Sequence, residues 1–146
     1  MIVEESAGLP YLEGLENAVH ESEVDYVIEG DHGPAPEIPN PPPTDVDRSV
    51  AELIAAEVVD GSCLQIGIGA MPNAVCSLLL ESGVRDLGVH TEMLTDGIVD
   101  LYRAGVVTGA RKTLHPGKVV CTFGVGTRCS TRRPIATPTF SASRST

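Results

Sequence analysis

The sequence predicts an α/β fold: an open, mostly parallel sheet with flanking helices, forming an incomplete domain. Short apolar runs alternate along the chain with amphipathic patterns of helical period, in the order β, linker, α, β, α, β, α, β. This alternation is typical of a parallel sheet whose strands are joined by crossover helices. A length of 146 residues with 42% apolar side chains allows one ordinary domain and hardly two.

The first 43 residues hold one predicted strand and a linker. Residues 1–23 are acidic with weak periodicity, whereas 24–29 (VDYVIE) alternate as in a strand. Residues 30–43 contain six prolines and two glycines, which exclude a helix or a central strand. We expect this segment to be an extended linker with polyproline II character.

An amphipathic helix is predicted for residues 45–58. Thr44 is followed three residues later by Asp47, an arrangement typical of a helix N-terminal cap. Apolar side chains then recur every fourth residue. We expect them to form one buried stripe, made of Val46, Val50, Ile54 and Val58 and widened by Leu53 and Ala56.

The remaining elements alternate along the chain. The predicted strands are 62–68, 86–90 and 119–123, and the predicted helices are 72–82 and 96–104. In an open parallel sheet the ligand lies beyond the carboxyl ends of the strands. The segments expected at that edge are the turn 67–71, Glu92 and residues 124–127.

Charge is unevenly distributed and excludes some classes of protein. The formal net charge is −10: residues 1–60 hold 15 acids and one base, 61–127 hold five of each, and 128–146 hold four arginines and no acid. A nucleic-acid-binding protein is not expected, because it would need basic side chains to displace counterions from phosphates. No stretch approaches the roughly 20 apolar residues of a membrane span, and the first residues do not resemble a secretory signal. We therefore expect no membrane partner and a cytoplasmic location, with a mitochondrial one left open.

The Gly-rich turn, residues 67–71, joins a predicted strand to a predicted helix. Free backbone N–H groups and a helix N-terminus suit a phosphate, a carboxylate or an oxyanion. The dinucleotide-binding fingerprint fails, because Pro72 stands where the third glycine is needed. A purely structural strand-to-helix turn is the alternative interpretation.

Glu92 follows a predicted strand, directly after His90 and Thr91. A carboxylate in this position can act as a base, an acid or a nucleophile, and an ordinary surface glutamate is the alternative. No metal site is expected, since His90 and Glu92 are accompanied by neither a second zinc-binding histidine nor a CxxC pair.

A basic loop precedes the last predicted strand. It carries Arg111, Lys112, His115 and Lys118. Such a cluster suits a phosphate-bearing substrate, and a solvated loop is an equal alternative.

Five blocks of sequence between residues 2 and 127 carry a family resemblance. They are HESEVDY (20–26), PNPPP (39–43), GIGAMPNAV (67–75), LGVHTEMLTDG (87–97) and ARKTLHPGK (110–118). Together they resemble the acetyl-CoA hydrolase/transferase family. Its members move CoA between an acyl-CoA and a short-chain carboxylate of acetate, butyrate or 4-hydroxybutyrate type, or hydrolyse acetyl-CoA.

The resemblance implies a CoA-transferase-like fold with two related α/β domains. Residues 1–38 would then be the end of the N-terminal domain, 39–44 the proline-rich connection, and 45–127 the start of the C-terminal domain. Residues 128–146 depart from the family pattern. We interpret them as a disordered tail or as the product of a frameshift.

The resemblance also implies the site. Glu92 would be the nucleophile that forms a glutamyl-CoA thioester. CoA, a substrate rather than a cofactor, would be bound by Gly67, Ile68, Gly69, Ala70 and Met71. We expect an inactive fragment of an enzyme whose full-length form is a homo-oligomer. A hydrolase using the same glutamate and a non-catalytic CoA-binding module are the alternatives.

Overall fold

The structure is a computed structural model that describes residues 1–9, 18–34, 36–127 and the backbone of 140–142. It has helices α1 (Asp45–Glu57), α2 (Ala70–Glu81) and α3 (Asp96–Arg103), and a short 3-10 helix at Glu21–Glu23. Its strands are β1 (Ile2–Glu5), β2 (Tyr26–Glu29), β3 (Cys63–Leu64), β4 (Gly88–Val89), β5 (Met93–Leu94), β6 (Val119–Cys121), β7 (Phe123–Gly124) and β8 (Phe140–Ala142).

Every strand pair in the described chain is parallel. The pairs are β1 with β2, β3 with β4, β5 with β7, and β6 with β8. A parallel bridge between His90 and Val120 joins the second and fourth pairs, so the central order is β3, β4, β6, β8. The predicted parallel α/β sheet is therefore confirmed.

The strands differ from prediction in length and number. The predicted strand 62–68 is only β3, because the chain leaves the sheet before the Gly-rich turn. The predicted strand 119–123 is interrupted at Thr122 and becomes β6 and β7. β1 was not predicted, since its sequence alternates weakly. It forms by pairing with β2, in register from Ile2 opposite Tyr26.

The start of α1 confirms the predicted cap. The Thr44 hydroxyl accepts from the Asp47 N–H at 3.2 Å, and the Asp47 carboxylate accepts from the Thr44 N–H at 2.8 Å. These two bonds form a capping box that satisfies backbone donors at the helix end. The Thr44 hydroxyl also donates to the Asp47 carboxylate at 2.7 Å, and this bond, together with the one from the Thr44 N–H, lowers the pKa of the Asp47 carboxyl below its usual value.

The predicted buried stripe of α1 is confirmed only at Val58 and is wrong at its other positions, which are exposed. Val46 is 72% exposed and Leu53 is 73% exposed, whereas Ala51 is completely buried. Ala55 and Val58 pack against the same core as Ala51. Spacings of four and three residues put these three on one face, and their small side chains let α1 approach α2 closely.

The core lies within residues 45–127. It is built mainly from the inner faces of α2 and α3 and from β4 and β6, with Leu79, Leu87, Ile98, Leu101 and Val89 among its largest buried side chains. No side chain is buried in residues 1–9 or 18–34. The β1–β2 pair therefore has no apolar core of its own in the described chain.

Residues 128–146 are described only in part. The expectation of disorder is wrong for Phe140–Ala142, which form β8 with Val119 opposite Phe140. Residues 128–139 and 143–146 lie outside the described part. Among the helices that are described, none is both long and apolar enough to cross a membrane.

Candidate functional site

The Gly-rich turn leads from β3 directly into α2. Gly69 is the residue before the helix and has φ of +122°, a conformation that side-chain-bearing residues rarely adopt. The helix begins at Ala70, two residues earlier than predicted, so Ala70 and Met71 belong to its first turn and Pro72 is its third residue. No side chain caps this end. The first N–H groups of α2 are therefore not satisfied by a side-chain cap and suit an anionic or oxyanionic ligand.

Gly67 lies in open space. A Cβ atom added there would meet no atom within 4 Å, and its φ is not in the left-handed region. Neither packing nor backbone conformation in the described chain therefore requires glycine at this position. Absence of a side chain leaves room for a ligand to approach the backbone closely.

Glu92 is exposed and lies between β4 and β5. Its carbonyl oxygen accepts from two consecutive N–H groups, those of Thr122 at 2.9 Å and Phe123 at 3.2 Å. Thr122 and Phe123 thus both oppose Glu92, as in a β-bulge whose extra residue lies on the strand facing Glu92. The prediction that a strand ends before Glu92 is confirmed, since β4 ends at Val89. The short strand β5, which begins at Met93 and pairs with β7, was not predicted.

Thr91 connects Glu92 to the Gly-rich turn. Its side-chain oxygen donates to the Ile66 carbonyl at 3.1 Å and accepts from the Ile66 N–H at 3.3 Å. Ile66 is followed by Gly67, and Thr91 by Glu92, so the predicted nucleophile and the predicted CoA-binding turn are neighbours in the fold. The sequence analysis missed Thr91. The signal was present, because Thr91 continues the inward-facing alternation of Leu87 and Val89 and a buried hydroxyl needs a partner.

Residues 124–127 reach the same end of the fold through Asp96. Its carboxylate accepts from the Thr127 N–H at 2.9 Å and from the Asn40 side-chain amide at 3.0 Å. The Asn40 side-chain oxygen in turn accepts from Asn73, in the first turn of α2, at 2.9 Å. This network holds the proline-rich connection against α2 and α3.

The cations of the basic loop are largely occupied within the protein. Arg111 pairs with the Asp86 carboxylate at 3.0 Å. Lys112 is buried, and its ammonium donates to the carbonyls of Val89 at 2.9 Å and Lys118 at 2.8 Å. The interpretation of this loop as a phosphate site therefore gains no support from Arg111 or Lys112.

Two histidines lie close together, His90 directly after β4 and His115 in the basic loop. The rings of His90 and His115 have centroids 6.5 Å apart. Burial, the Lys112 charge and His115 together lower the pKa of His90 below its usual value of 6.5. His90 is therefore predominantly neutral at physiological pH. Within the described ranges, no three His, Cys, Asp or Glu side chains gather into a group that could hold a metal ion.

Known proteins resemble this chain along most of its length. A butyryl-CoA:acetate CoA-transferase from Anaerostipes caccae is 45% identical over 130 residues, which are 88% of this chain. The chain belongs to the acetyl-CoA hydrolase/transferase family. A 4-hydroxybutyrate coenzyme A transferase from Clostridium kluyveri is 41% identical over 128 residues. No family model matches the sequence.

Solved structures match the fold of this chain. A 4-hydroxybutyrate CoA-transferase from Porphyromonas gingivalis matches 97% of it with a TM-score of 0.86 and 35% identity, which supports the same family fold. The crystal structure of RipA from Yersinia pestis matches 97% of this chain with a TM-score of 0.87 and 42% identity. This family member spans only 29% of the length of each of the two relatives above and 32% of the RipA chain.

Proposed function

We propose that Glu92 is the nucleophile of a CoA transfer between an acyl-CoA and a short-chain carboxylate. The observation that supports this proposal is the pair of hydrogen bonds between the Thr91 hydroxyl and Ile66. They make the exposed residue Glu92, which follows Thr91, a neighbour of the Gly-rich turn, which follows Ile66. The similarity to enzymes named for transfer between butyryl-CoA and acetate supports the substrate class. A catalytic carboxylate needs this exposure, because the thioester must reach it.

The chemistry follows from the carboxylate. Glu92 attacks the thioester carbonyl of the acyl-CoA, giving a mixed acyl-glutamyl anhydride and CoA thiolate. The thiolate then attacks the glutamyl carbonyl, which releases the first carboxylate and leaves a glutamyl-CoA thioester. An incoming carboxylate attacks this thioester, and the thiolate released then attacks the new acyl carbonyl, which frees Glu92 and forms the product acyl-CoA. The covalent intermediate conserves the thioester free energy and predicts ping-pong kinetics.

The Gly-rich turn would hold CoA and stabilise developing negative charge. The space above Gly67 admits a ligand close to the backbone. N–H groups at the start of α2 are suited to the tetrahedral oxyanion or to CoA. Contacts with the remote parts of CoA would position the thioester against Glu92.

We further propose that this chain alone turns over no substrate. It matches 29% of the length of two CoA-transferases, and its β1–β2 pair has no buried side chain in the described residues. Some of the residues that position the substrates would then lie in the parts of the two CoA-transferases that this chain does not match.

Hydrolysis is the second candidate activity. Glu92 is exposed, so water would reach a glutamyl-CoA thioester as easily as a carboxylate does. Release of free CoA from an acyl-CoA without any acceptor carboxylate would indicate the hydrolase. Strict dependence of acyl-CoA consumption on the acceptor would indicate the transferase.

A chimera tests the proposal with this chain's own residues. Residues 1–127 replace the matching segment of the Anaerostipes caccae enzyme, and CoA transfer from butyryl-CoA to acetate is measured. We expect the chimera to be active and Glu92→Gln to lower kcat by about 10³-fold or more. The matched control is Glu57→Gln, an exposed glutamate at the end of α1, which should leave kcat unchanged.

Mass spectrometry of the quenched chimera should show a CoA adduct on Glu92 and none in the Glu92→Gln variant. An active Glu92→Gln chimera would refute the nucleophile. CoA binding without any adduct in the unsubstituted chimera would instead indicate a non-catalytic CoA-binding module.

A further inference from the structure

The β3–β4 ladder ends in an unusual way. The Gly88 N–H donates to the Ser62 carbonyl at 2.9 Å, and the His90 N–H donates to the Leu64 carbonyl at 3.0 Å. Parallel pairing repeats every two residues, so the next bond of this series would run from the N–H of residue 92 to the Ile66 carbonyl. The bond to that carbonyl comes instead from a side chain, the hydroxyl of Thr91.

The Thr91 hydroxyl takes the place of the ladder hydrogen bonds at both backbone groups of Ile66, the N–H and the carbonyl. It accepts from the Ile66 N–H at 3.3 Å and donates to the Ile66 carbonyl at 3.1 Å. Thr91 is 6% exposed and Ile66 is also buried, so neither backbone group of Ile66 has easy access to water. The hydroxyl has one proton and reaches the Met93 carbonyl only at 3.3 Å, which makes Ile66 the closer acceptor.

The two chains separate immediately after this contact. Beyond Ile66 the backbone enters the Gly-rich turn, and beyond Thr91 it reaches Glu92, which lies opposite the bulge at Thr122 and Phe123. One hydroxyl therefore sets the spacing of two segments that regular pairing no longer holds together. Because the Thr91 hydroxyl bonds to the Ile66 carbonyl, the Glu92 N–H does not pair with that carbonyl. The same bond keeps the segment that contains Glu92 next to the Gly-rich turn.

We propose that Thr91 is a positioning residue that holds the Gly-rich turn in place against Glu92. The proposal rests on the proposed function, since it assigns to the turn the binding of CoA. Thr91 acts through Ile66 and does not itself react. Its side chain combines a hydroxyl with a branched shape that suits a buried strand.

Three variants of the full 146-residue chain separate the hydroxyl from the shape. Thr91→Val keeps the branched shape and removes the hydroxyl, whereas Thr91→Ser keeps the hydroxyl. Thr95→Val is the matched control, because Thr95 is a similarly buried threonine whose hydroxyl has no partner in the described part of the chain. Hydrogen exchange of the Ile66 amide is measured by NMR in this chain. CoA affinity is measured by calorimetry with the same substitutions in the chimera described above.

We expect Thr91→Val to speed exchange of the Ile66 amide and to raise the Kd for CoA, each by about 3- to 10-fold or more, because both neutral hydrogen bonds between the hydroxyl and Ile66 are lost. The amide of Leu79 in the core of α2 should exchange as before. Thr91→Ser should restore both values, and Thr95→Val should change neither. If Thr91 mattered only through its branched shape, Thr91→Ser, which lacks that shape, would not restore the affinity for CoA.

Unchanged Ile66 exchange and unchanged CoA affinity in Thr91→Val would overturn the proposal. So would equal effects of Thr91→Val and Thr95→Val. If the unsubstituted chimera binds no CoA, the proposed function of the turn fails. In that case the exchange rate of the Ile66 amide alone tests whether Thr91 holds the turn: faster exchange in Thr91→Val supports it, and unchanged exchange refutes it.

Discussion

The ammonium of Lys112 lies 2.9 Å from the carbonyl oxygen of Val89, the last residue of β4. The same ammonium lies 2.8 Å from the Lys118 carbonyl, directly before β6. Its side chain crosses the face of Gly88, where an added Cβ would lie 2.5 Å from Lys112 Cγ. A buried cation thus joins the end of β4 to the start of β6.

Replacing Lys112 with methionine should destabilise the protein. The substitution removes the donor shared by two carbonyls, and we expect the free energy of unfolding to fall by about 1–3 kcal/mol in urea denaturation. Lys118→Met is the control, because it keeps the Lys118 carbonyl and should cost less than about 0.5 kcal/mol. Equal stability of the two variants would show that the Lys112 bonds contribute nothing.

His90 should make stability depend on pH. Burial, Lys112 and His115 lower its pKa in the folded chain, so the unfolded chain takes up the proton first as the pH falls below 6.5. The contribution of neutral His90 to the free energy of unfolding is complete above pH 6.5. It is lost as the pH falls from 6.5 towards the lower pKa that His90 has in the folded chain. Urea denaturation at about pH 7.5 and about pH 5.5 should therefore show a smaller loss of stability in His90→Gln than in the unsubstituted chain. Identical losses would contradict this.

Two adjacent leucines of α2 should differ strongly in their effect on stability. Leu79 is completely buried, whereas Leu80 is 38% exposed. Leu79→Ala leaves a cavity and should lower the free energy of unfolding by about 2–5 kcal/mol. Leu80→Ala, with the same change in helix propensity, should cost less than about 1 kcal/mol in the same denaturation experiment. Similar costs at the two positions would mean that α2 packs through a different face.

The cysteines should differ in their reaction with iodoacetamide. Burial, aided by the Asp100 charge, raises the pKa of the Cys76 thiol to about 12, and burial raises that of Cys121 to about 11. At about pH 8 only about 10⁻⁴ of Cys76 is thiolate, and its access is also blocked. Cys63 is exposed. In the native chain we expect alkylation at Cys63, with Cys76 and Cys121 reacting only in urea.

Peptide mapping on a Cys129→Ser background reports the labelled positions, since Cys129 lies outside the described residues. Cys63→Ser should abolish native labelling on that background. Rapid native labelling of Cys76 would show that α2 opens far more often than its burial implies.

Much of the local structure could be predicted from sequence because its causes are local. The capping pair of Thr44 and Asp47 lies within one helical turn, so the start of α1 was visible in the sequence. The buried face of α1 was not, because apolar periodicity cannot tell whether a partner covers that face. The structure packs the small face of Ala51 against the core and leaves Leu53 exposed.

In the candidate site too, one part could be predicted from the sequence and another could not. Alternation of strands and helices predicted that Glu92 and the Gly-rich turn would share one end of the sheet, since parallel strands align their carboxyl ends. The contact that joins them, between Thr91 and Ile66, spans 25 residues and depends on the register of β3 against β4.

The sequence by itself determined the alternation of helices and strands from α1 to β6, the cap of α1 and the choice of Glu92 as a candidate reactive carboxylate. Only the tertiary structure decided the number of strands, the bulge opposite Glu92 and the buried hydroxyl that ends the ladder beside it. The reason is physical. Helix periodicity and capping involve neighbours within a few residues, whereas register and burial arise when distant segments pack and must satisfy one another's backbone groups.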